Sequence, residues 1–195
     1  TISATGKNGS IIHYRASEKT CRKIKQNDIY LCDSGGQYNY GTTDITRTIS
    51  FKEQPKNIKD IFTRVLKGHI AVATANISNQ KTGSNIDRLA RKYLRKVKKD
   101  FSHGTGHGVG YFLNVHEGPQ SISKRNNVKL REGMILSNEP GFYLKGKYGI
   151  RIENLVYIKK EKSNLVFKNL TLAPIDTNLV NFKLLSSQEK KYLIN

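Results

Sequence analysis

Asp33, Asp44, His107, Glu139 and Glu153 follow one another in the order Asp, Asp, His, Glu, Glu, each inside a glycine-rich or strand-like segment. Four carboxylates converging with one imidazole would form an oxygen-rich, anionic site, suited to two divalent ions such as Mn²⁺ rather than to a lone sulfur-bound Zn²⁺. Two metal ions sharing a water imply hydrolysis. Taken singly, the signals differ in weight. Asp33 and Asp44 on paired strands would repel each other unless a cation lay between them, yet both also read as ordinary turn or loop-capping residues. His103-Gly-Thr-Gly-His107-Gly-Val-Gly110 is more specific. Its glycines exclude the helix on which a zinc protease places two histidines, there is no HExxH, and the third glycine of a dinucleotide fingerprint is misplaced. What the glycines offer is close backbone approach beside two imidazoles. His116, in Asn114-Val-His-Glu-Gly-Pro119, reads either as a donor to a developing oxyanion or as a structural histidine. Arg151 shares a strand face with Glu153, as an ordinary ion-pair partner or as a group that orients a ligand. His69 falls in a predicted helix and reads as structural.

These side chains need strands to position them. Asp28 to Asp33 is rich in β-formers and is expected to stop at the turn signal Ser34-Gly35-Gly36. Gly41 to Phe51 alternates, with Asp44, Thr46 and Thr48 on one face and Thr43, Ile45 and Arg47 on the other. A hairpin through 34–41 would then bring Asp33 near Asp44. Gly9 to Tyr14 reads as a short extended stretch carrying His13. Pro55 opens a helix whose Ile58, Ile61, Phe62, Val65, Leu66 and Ile70 recur at helical spacing. A second helix is expected over about 85–99. It includes Arg88 to Lys99, where seven of twelve residues are basic, and it reads as amphipathic with a basic outer face. From 101 to 117 the glycines, each costing about 1 kcal/mol in a helix, require loop and strand. Met134–Glu139, Gly149–Ile158 and Leu165–Leu170 are further strand candidates, and 178–194 reads as loop and short helix. Helices in the middle and strands at both ends indicate an α+β domain with an antiparallel sheet.

A chain of 195 residues, 36% hydrophobic and 25% charged, fits one globular domain. No apolar run approaches the roughly 20 residues of a membrane helix. Thr1-Ile-Ser-Ala4 has neither Met nor a signal-peptide layout, so the chain is expected to be a piece of a longer protein. Cys21 and Cys32 form no CxxC and read as reduced thiols of a cytoplasmic protein. The net charge of +19 would attract nucleic acid. Lysines spread along a Lys- and Asn-rich chain favour a solvated basic surface instead, so a nucleic-acid partner is not expected.

Together these segments resemble the metal-binding motifs of the creatinase and aminopeptidase P superfamily, whose catalytic domain has the pita-bread fold, a curved antiparallel sheet with helices outside. His103–Gly110, Asn114–Pro119, Gly41-Thr-Thr-Asp-Ile-Thr-Arg-Thr48 and Glu139-Pro-Gly-Phe-Tyr143 are most similar to the Xaa-Pro aminopeptidases, and the resemblance runs from about Ser3 to Ile175. It implies two divalent ions, Mn²⁺ first, with Co²⁺, Fe²⁺ or Zn²⁺ as alternatives. Asp33 would bind one, His107 and Glu139 the other, and Asp44 and Glu153 would bridge both. A water between them would attack the carbonyl preceding proline, with Glu139 as general base and His116 steadying the oxyanion. His13, His103 and His116 would line the substrate site, His103 would join Glu139 and His116 as a catalytic candidate, and Arg151 and Tyr143 would support the ligands from behind. The implied substrates are peptides with proline at position two, their free amine near Asp44. Prolidase action on dipeptides is the alternative, followed by a basic pita-bread module binding RNA or ribosomes. The resemblance also implies a homodimer in the full-length protein, a catalytic domain over 1–195 with about 171–195 as the C-terminal extension, and family helices that would precede Thr1.

Overall fold

Antiparallel pairing of short strands frames the chain, whose computed structural model describes residues 1–112 and 114–194. Strands β1 (Ile2–Thr5), β2 (Ile29–Tyr38) and β3 (Gly41–Ser50) form one sheet in that order. Helices α1 (Lys56–Ala73), α2 (Ile77–Gln80) and α3 (Gly83–Arg95) follow. The two-residue strands β4 (Gly106–His107) and β5 (Ser121–Ile122) pair with each other. Next come β6 (Ile135–Asn138), the hairpin of β7 (Gly141–Leu144) and β8 (Tyr148–Arg151), then β9 (Asn154–Glu161) and β10 (Asn164–Asn169). Strands β10, β9 and β6 make a second three-stranded sheet. The short helix α4 (Ser187–Tyr192) carries a capping box between Ser186 and Glu189. Every ladder among the described residues is antiparallel, as the α+β reading requires.

The apolar stripe of α1 does what its periodicity predicts. Phe62, Val65, Leu66 and Ile70 are buried against Ile86, Ala90 and Leu94 of α3 and against Leu136, Ile150, Val156 and Ile158 of the strands. Each such side chain contributes about 1.5–3 kcal/mol. Gly68 lets the two helices touch, because a Cβ there would overlap the Ala90 carbonyl. His69, on the same helix, is fully buried, with Nδ1 3.1 Å from the Asn138 carbonyl. Burial lowers its pKa to about 3, so it sits neutral in the core.

Four expectations need correction. Strand β2 does not stop at Ser34-Gly35-Gly36 but runs to Tyr38. A Cβ on Gly35 would lie 2.6 Å from the Thr43 carbonyl oxygen, so this glycine serves close strand approach rather than a turn. Gly9 to Tyr14 is not extended: Gly6–Ser10 forms a 3-10 helix, and the next turn closes with Tyr14 N–H on the Ile11 carbonyl. Ile11 has no sheet neighbour and stays 54% exposed. The predicted strand over Gly149–Ile158 is interrupted at Ile152-Glu153, because its first half pairs with β7 and its second with β6 and β10. The basic helix ends at Arg95, and Arg91 is not on its outer face but 1% exposed, paired with Asp87 one turn earlier. β1 and α2, short and weakly patterned, were not expected at all.

The expectation of loop and strand over 101–117 holds for its described residues; Leu113 lies outside them. Cys21 and Cys32 are free thiols. Among the described residues, no helix is long and apolar enough to cross a membrane.

Candidate metal centre

Register decides how the two aspartates meet. Asp33 pairs with Thr46 and Gly35 with Asp44, so the carboxylates are diagonal neighbours on one face of the β2–β3 ladder. Opposite Asp44 stands only a glycine, which leaves open space in front of it. From the other side, β4 brings in His107, the end of β6 delivers Glu139, and the break between β8 and β9 delivers Glu153. All five line a single cavity of about 570 Å³, together with His13, His103, His116 and Arg151.

The tightest group is Asp44, His107 and Glu153, whose ligating atoms all lie within 4.8 Å of one another. His107 Nε2 is 3.4 Å from Asp44 Oδ2 and 3.3 Å from Glu139 Oε1. Its Nδ1 lies 2.9 Å from the Gly108 carbonyl oxygen, which can only accept, so Nδ1 carries a proton and Nε2 faces the carboxylates. Asp33 accepts from Arg151 Nη2 at 2.6 Å. Arg151 Nε donates to Thr46 Oγ1 at 3.1 Å, and that hydroxyl donates to Glu153 Oε2 at 2.7 Å. One guanidinium thus orients Asp33 directly and Glu153 through a hydroxyl.

Two supporting residues escaped sequence reasoning. Thr46 is one; the alternation that faced Asp44 inward also faced Thr46 inward, and that was the available signal. Ser137 is the other. Its hydroxyl donates to Glu139 Oε1 at 2.9 Å and accepts from the His107 amide at 2.9 Å, tying two predicted ligands together. It sits two residues before Glu139 on the same strand face, a spacing visible in the sequence.

Among the other predicted site residues, the His103 ring has both nitrogens engaged within the chain. Nδ1 lies 2.7 Å from the Gly104 carbonyl and Nε2 2.9 Å from the Tyr143 hydroxyl. Tyr143 accepts from Arg151 Nη1 at 2.8 Å, so it donates its own proton to His103. Burial lowers His103 to about 4 and pushes Tyr143 up to about 12, which keeps this arrangement neutral at the imidazole and protonated at the phenol. His116 is exposed at the rim, its ring centroid 4.1 Å from that of His107. Partial burial and the neighbouring His107 lower its pKa.

The electrostatics ask for positive charge. Burial pushes Glu139 up to about 8; Arg151 and the Ser137 hydroxyl oppose the rise, and Asp44 and Asp33 add to it. Glu153 is raised well above the usual carboxylate range by burial, then by Glu139, Asp44 and Asp33. Burial works against a charged His107, but the Asp44 hydrogen bond and the surrounding carboxylates outweigh it and raise its pKa. Four carboxylates and one arginine leave a negative surplus that only protons or cations can offset. The donor set, hard oxygens with one imidazole, fits divalent cations of the Mn²⁺ type.

The backbone beside His107 leaves no slack. A Cβ on Gly106 would overlap the Ser137 carbonyl oxygen. Gly106→Ala is therefore expected to cost about 1–3 kcal/mol through overpacking, read as a lowered melting temperature. An unchanged melting temperature would show that β4 and β6 separate freely.

Comparison with known proteins agrees with this geometry. The model of metallopeptidase family M24 matches residues 1–160, and that of the C-terminal region of peptidase M24 matches 163–195. The chain is 52% identical to a protein named probable Xaa-Pro aminopeptidase P from Laccaria bicolor, over 99% of this chain and 32% of that one. A protein of the same name from Coprinopsis cinerea is 50% identical, over 99% of this chain and 33% of that one. The chain thus spans about a third of the length of these curated relatives. Among solved structures, X-prolyl aminopeptidase from Caenorhabditis elegans, described as a cytosolic enzyme with a di-nuclear active site, superposes with a TM-score of 0.91 at 44% identity. The match covers 98% of this chain and 32% of that one. Prolidase from Pyrococcus furiosus superposes with a TM-score of 0.77 at 31% identity, covering 88% of this chain and 48% of that one. These neighbours share the pita-bread fold. With one family model spanning residues 1–160 and relatives half identical over nearly its whole length, the chain belongs to metallopeptidase family M24, within the creatinase and aminopeptidase superfamily.

Proposed function

We propose that the protein is an aminopeptidase that uses two divalent cations, Mn²⁺ first among them, to hydrolyse the bond between an N-terminal residue and a following proline. The observation that carries this is the convergence of Asp44, His107 and Glu153 within 4.8 Å, with Glu139 beside them and Asp33 in the same cavity. The names of the fungal relatives and the di-nuclear site of the nematode neighbour support it. In this reading Asp33, Asp44, His107, Glu139 and Glu153 would hold the two cations. Bound there, the cations would supply Lewis-acid activation of water and of the scissile carbonyl.

The chain's own groups do the rest. Glu139, steadied by Ser137, takes a proton from the attacking water and returns it to the proline nitrogen as the C–N bond breaks. His116 is neutral near pH 7 because its pKa is lowered, and it donates an N–H to the oxygen that gains charge. Asp44 receives the substrate's free amine, which restricts cleavage to the first bond. His13 and His103 form walls of the substrate cavity; His103, its nitrogens already engaged, contributes its ring face. The cytosolic description of the nematode neighbour supports the same compartment here.

The Pyrococcus prolidase neighbour keeps a second reading in view, hydrolysis of Xaa-Pro dipeptides. A substrate panel on the full-length protein separates the two. After chelation and Mn²⁺ titration, Arg-Pro-Pro cleavage should return and saturate near two equivalents. Turnover of Gly-Pro alone would make the enzyme a prolidase, and a folded, metal-loaded protein with no turnover would remove both readings.

A further inference from the structure

The basic helix α3 hides a charged pair whose bonds lead toward the site. Arg91 and Asp87 are each 1% exposed. Arg91 Nε donates to Asp87 Oδ2 at 2.7 Å, and Nη1 donates to Asp100 Oδ1 at 2.8 Å and to the Phe101 carbonyl at 2.6 Å. Nη2 donates to the His103 carbonyl at 2.6 Å, and the guanidinium lies 3.9 Å from the centroid of the Phe101 ring. The other oxygen of Asp87 accepts from Thr105 Oγ1 at 2.7 Å, and the Thr105 carbonyl accepts the Glu139 amide at 2.7 Å. Two routes therefore run from one ion pair. One ends on the backbone of His103, the other on the backbone of Glu139.

We infer that the Asp87–Arg91 pair is a positioning device for the reaction, holding residues 100–105 so that His103 and Glu139 keep their places at the cavity; this rests on reading that cavity as a peptidase active site. Packing alone does not explain the pair. Apolar residues of equal volume would fill the space without desolvating two charges. They would not fix the direction of carbonyls in a segment that has glycine at 104 and 106 and, at Phe101, one buried apolar anchor. Arginine suits the task because its planar fork reaches Asp87, Asp100 and two carbonyls at once, which a lysine ammonium cannot do.

The test uses the full-length, Mn²⁺-loaded protein with three substitutions: Thr105→Ser, Thr105→Val and Arg91→Lys. The readouts are kcat and KM on an Xaa-Pro tripeptide, bound metal, and amide hydrogen exchange over 101–109 and over α3. Thr105→Ser keeps the hydroxyl donor and should stay near wild type. Thr105→Val should lower kcat about 10–100-fold, with metal content retained and exchange accelerated over 101–109 but not in α3. Arg91→Lys should show the same pattern with a larger loss. Wild-type kcat and exchange in Thr105→Val would overturn the inference, as would a loss that tracks faster exchange throughout α1 and α3, the mark of mere structural support. A wild-type protein without turnover would instead sink the peptidase reading, a result distinct from an active enzyme indifferent to Thr105→Val.

Discussion

Glu139→Gln should lower kcat by about 10²–10⁴-fold while making the metal-free protein more stable at alkaline pH. Both effects come from one environment. The side chain is 17% exposed, lies 3.3 Å from His107 Nε2 and accepts from Ser137 Oγ at 2.9 Å. A neutral amide of the same shape keeps the Ser137 hydrogen bond but can neither accept the proton from water nor share anionic charge with a cation. The stability gain follows from the raised pKa of about 8. Below it the carboxyl is protonated and resembles the amide; above it a buried charge appears that Arg151 and Ser137 only partly offset, and the amide avoids that cost. Melting temperatures at pH 5 and pH 9 in chelator should therefore diverge, with the variant ahead only at pH 9. Should the variant keep most of its kcat, Glu139 cannot be the base. Should it gain nothing at high pH, the raised pKa is wrong.

The second large effect links pH, metal and stability. An unfolded glutamate titrates near 4.5, while folded Glu139 titrates near 8 and Glu153 well above its ordinary range. Between those values the native state holds protons that the unfolded state has released. The stability these carboxyls contribute is complete below about pH 4.5 and is lost as pH rises through the folded values. His107, also raised, acts in the same direction. Asp60, Asp100 and Glu189, lowered by their ion pairs and hydrogen bonds, act at the other end, losing their contribution as the solution becomes acidic. Cation binding requires deprotonated ligands, so it should release protons and tighten with pH. Calorimetry of Mn²⁺ binding in buffers of different ionisation enthalpy should give positive proton release. The rise in melting temperature on adding Mn²⁺ should be larger at pH 8 than at pH 6. Equal rises at both, with no protons released, would mean that the cation binds elsewhere than among these carboxylates.

How far local pattern reaches is shown by particular residues. The order Asp, Asp, His, Glu, Glu stands in the chain itself, and its resemblance to a family of metallopeptidases led to the pita-bread fold that the comparisons share. The α1 stripe and the inward face of β3 needed only periods of 3.6 and 2, because each neighbour in those patterns is a few residues away. Glycines at 104, 106, 108 and 110 excluded a helix for the same local reason.

Everything set by distant partners was decided by the tertiary structure. Gly35-Gly36 reads as a turn until Thr43 and Asp44 lie opposite it, when Gly35 becomes the gap that lets two strands close. Residues 149–158 look like one strand, and only the different partners of the two halves break it at Glu153. Arg91 looks like one more surface cation until Asp100 and the 101–103 backbone fold over it. Thr46 meets Glu153 across 107 positions, and Arg151 meets Asp33 across 118. No local period encodes contacts of that separation, and the raised carboxylate pKa values depend on them, since burial and like-charge crowding exist only once the chain has closed around the site.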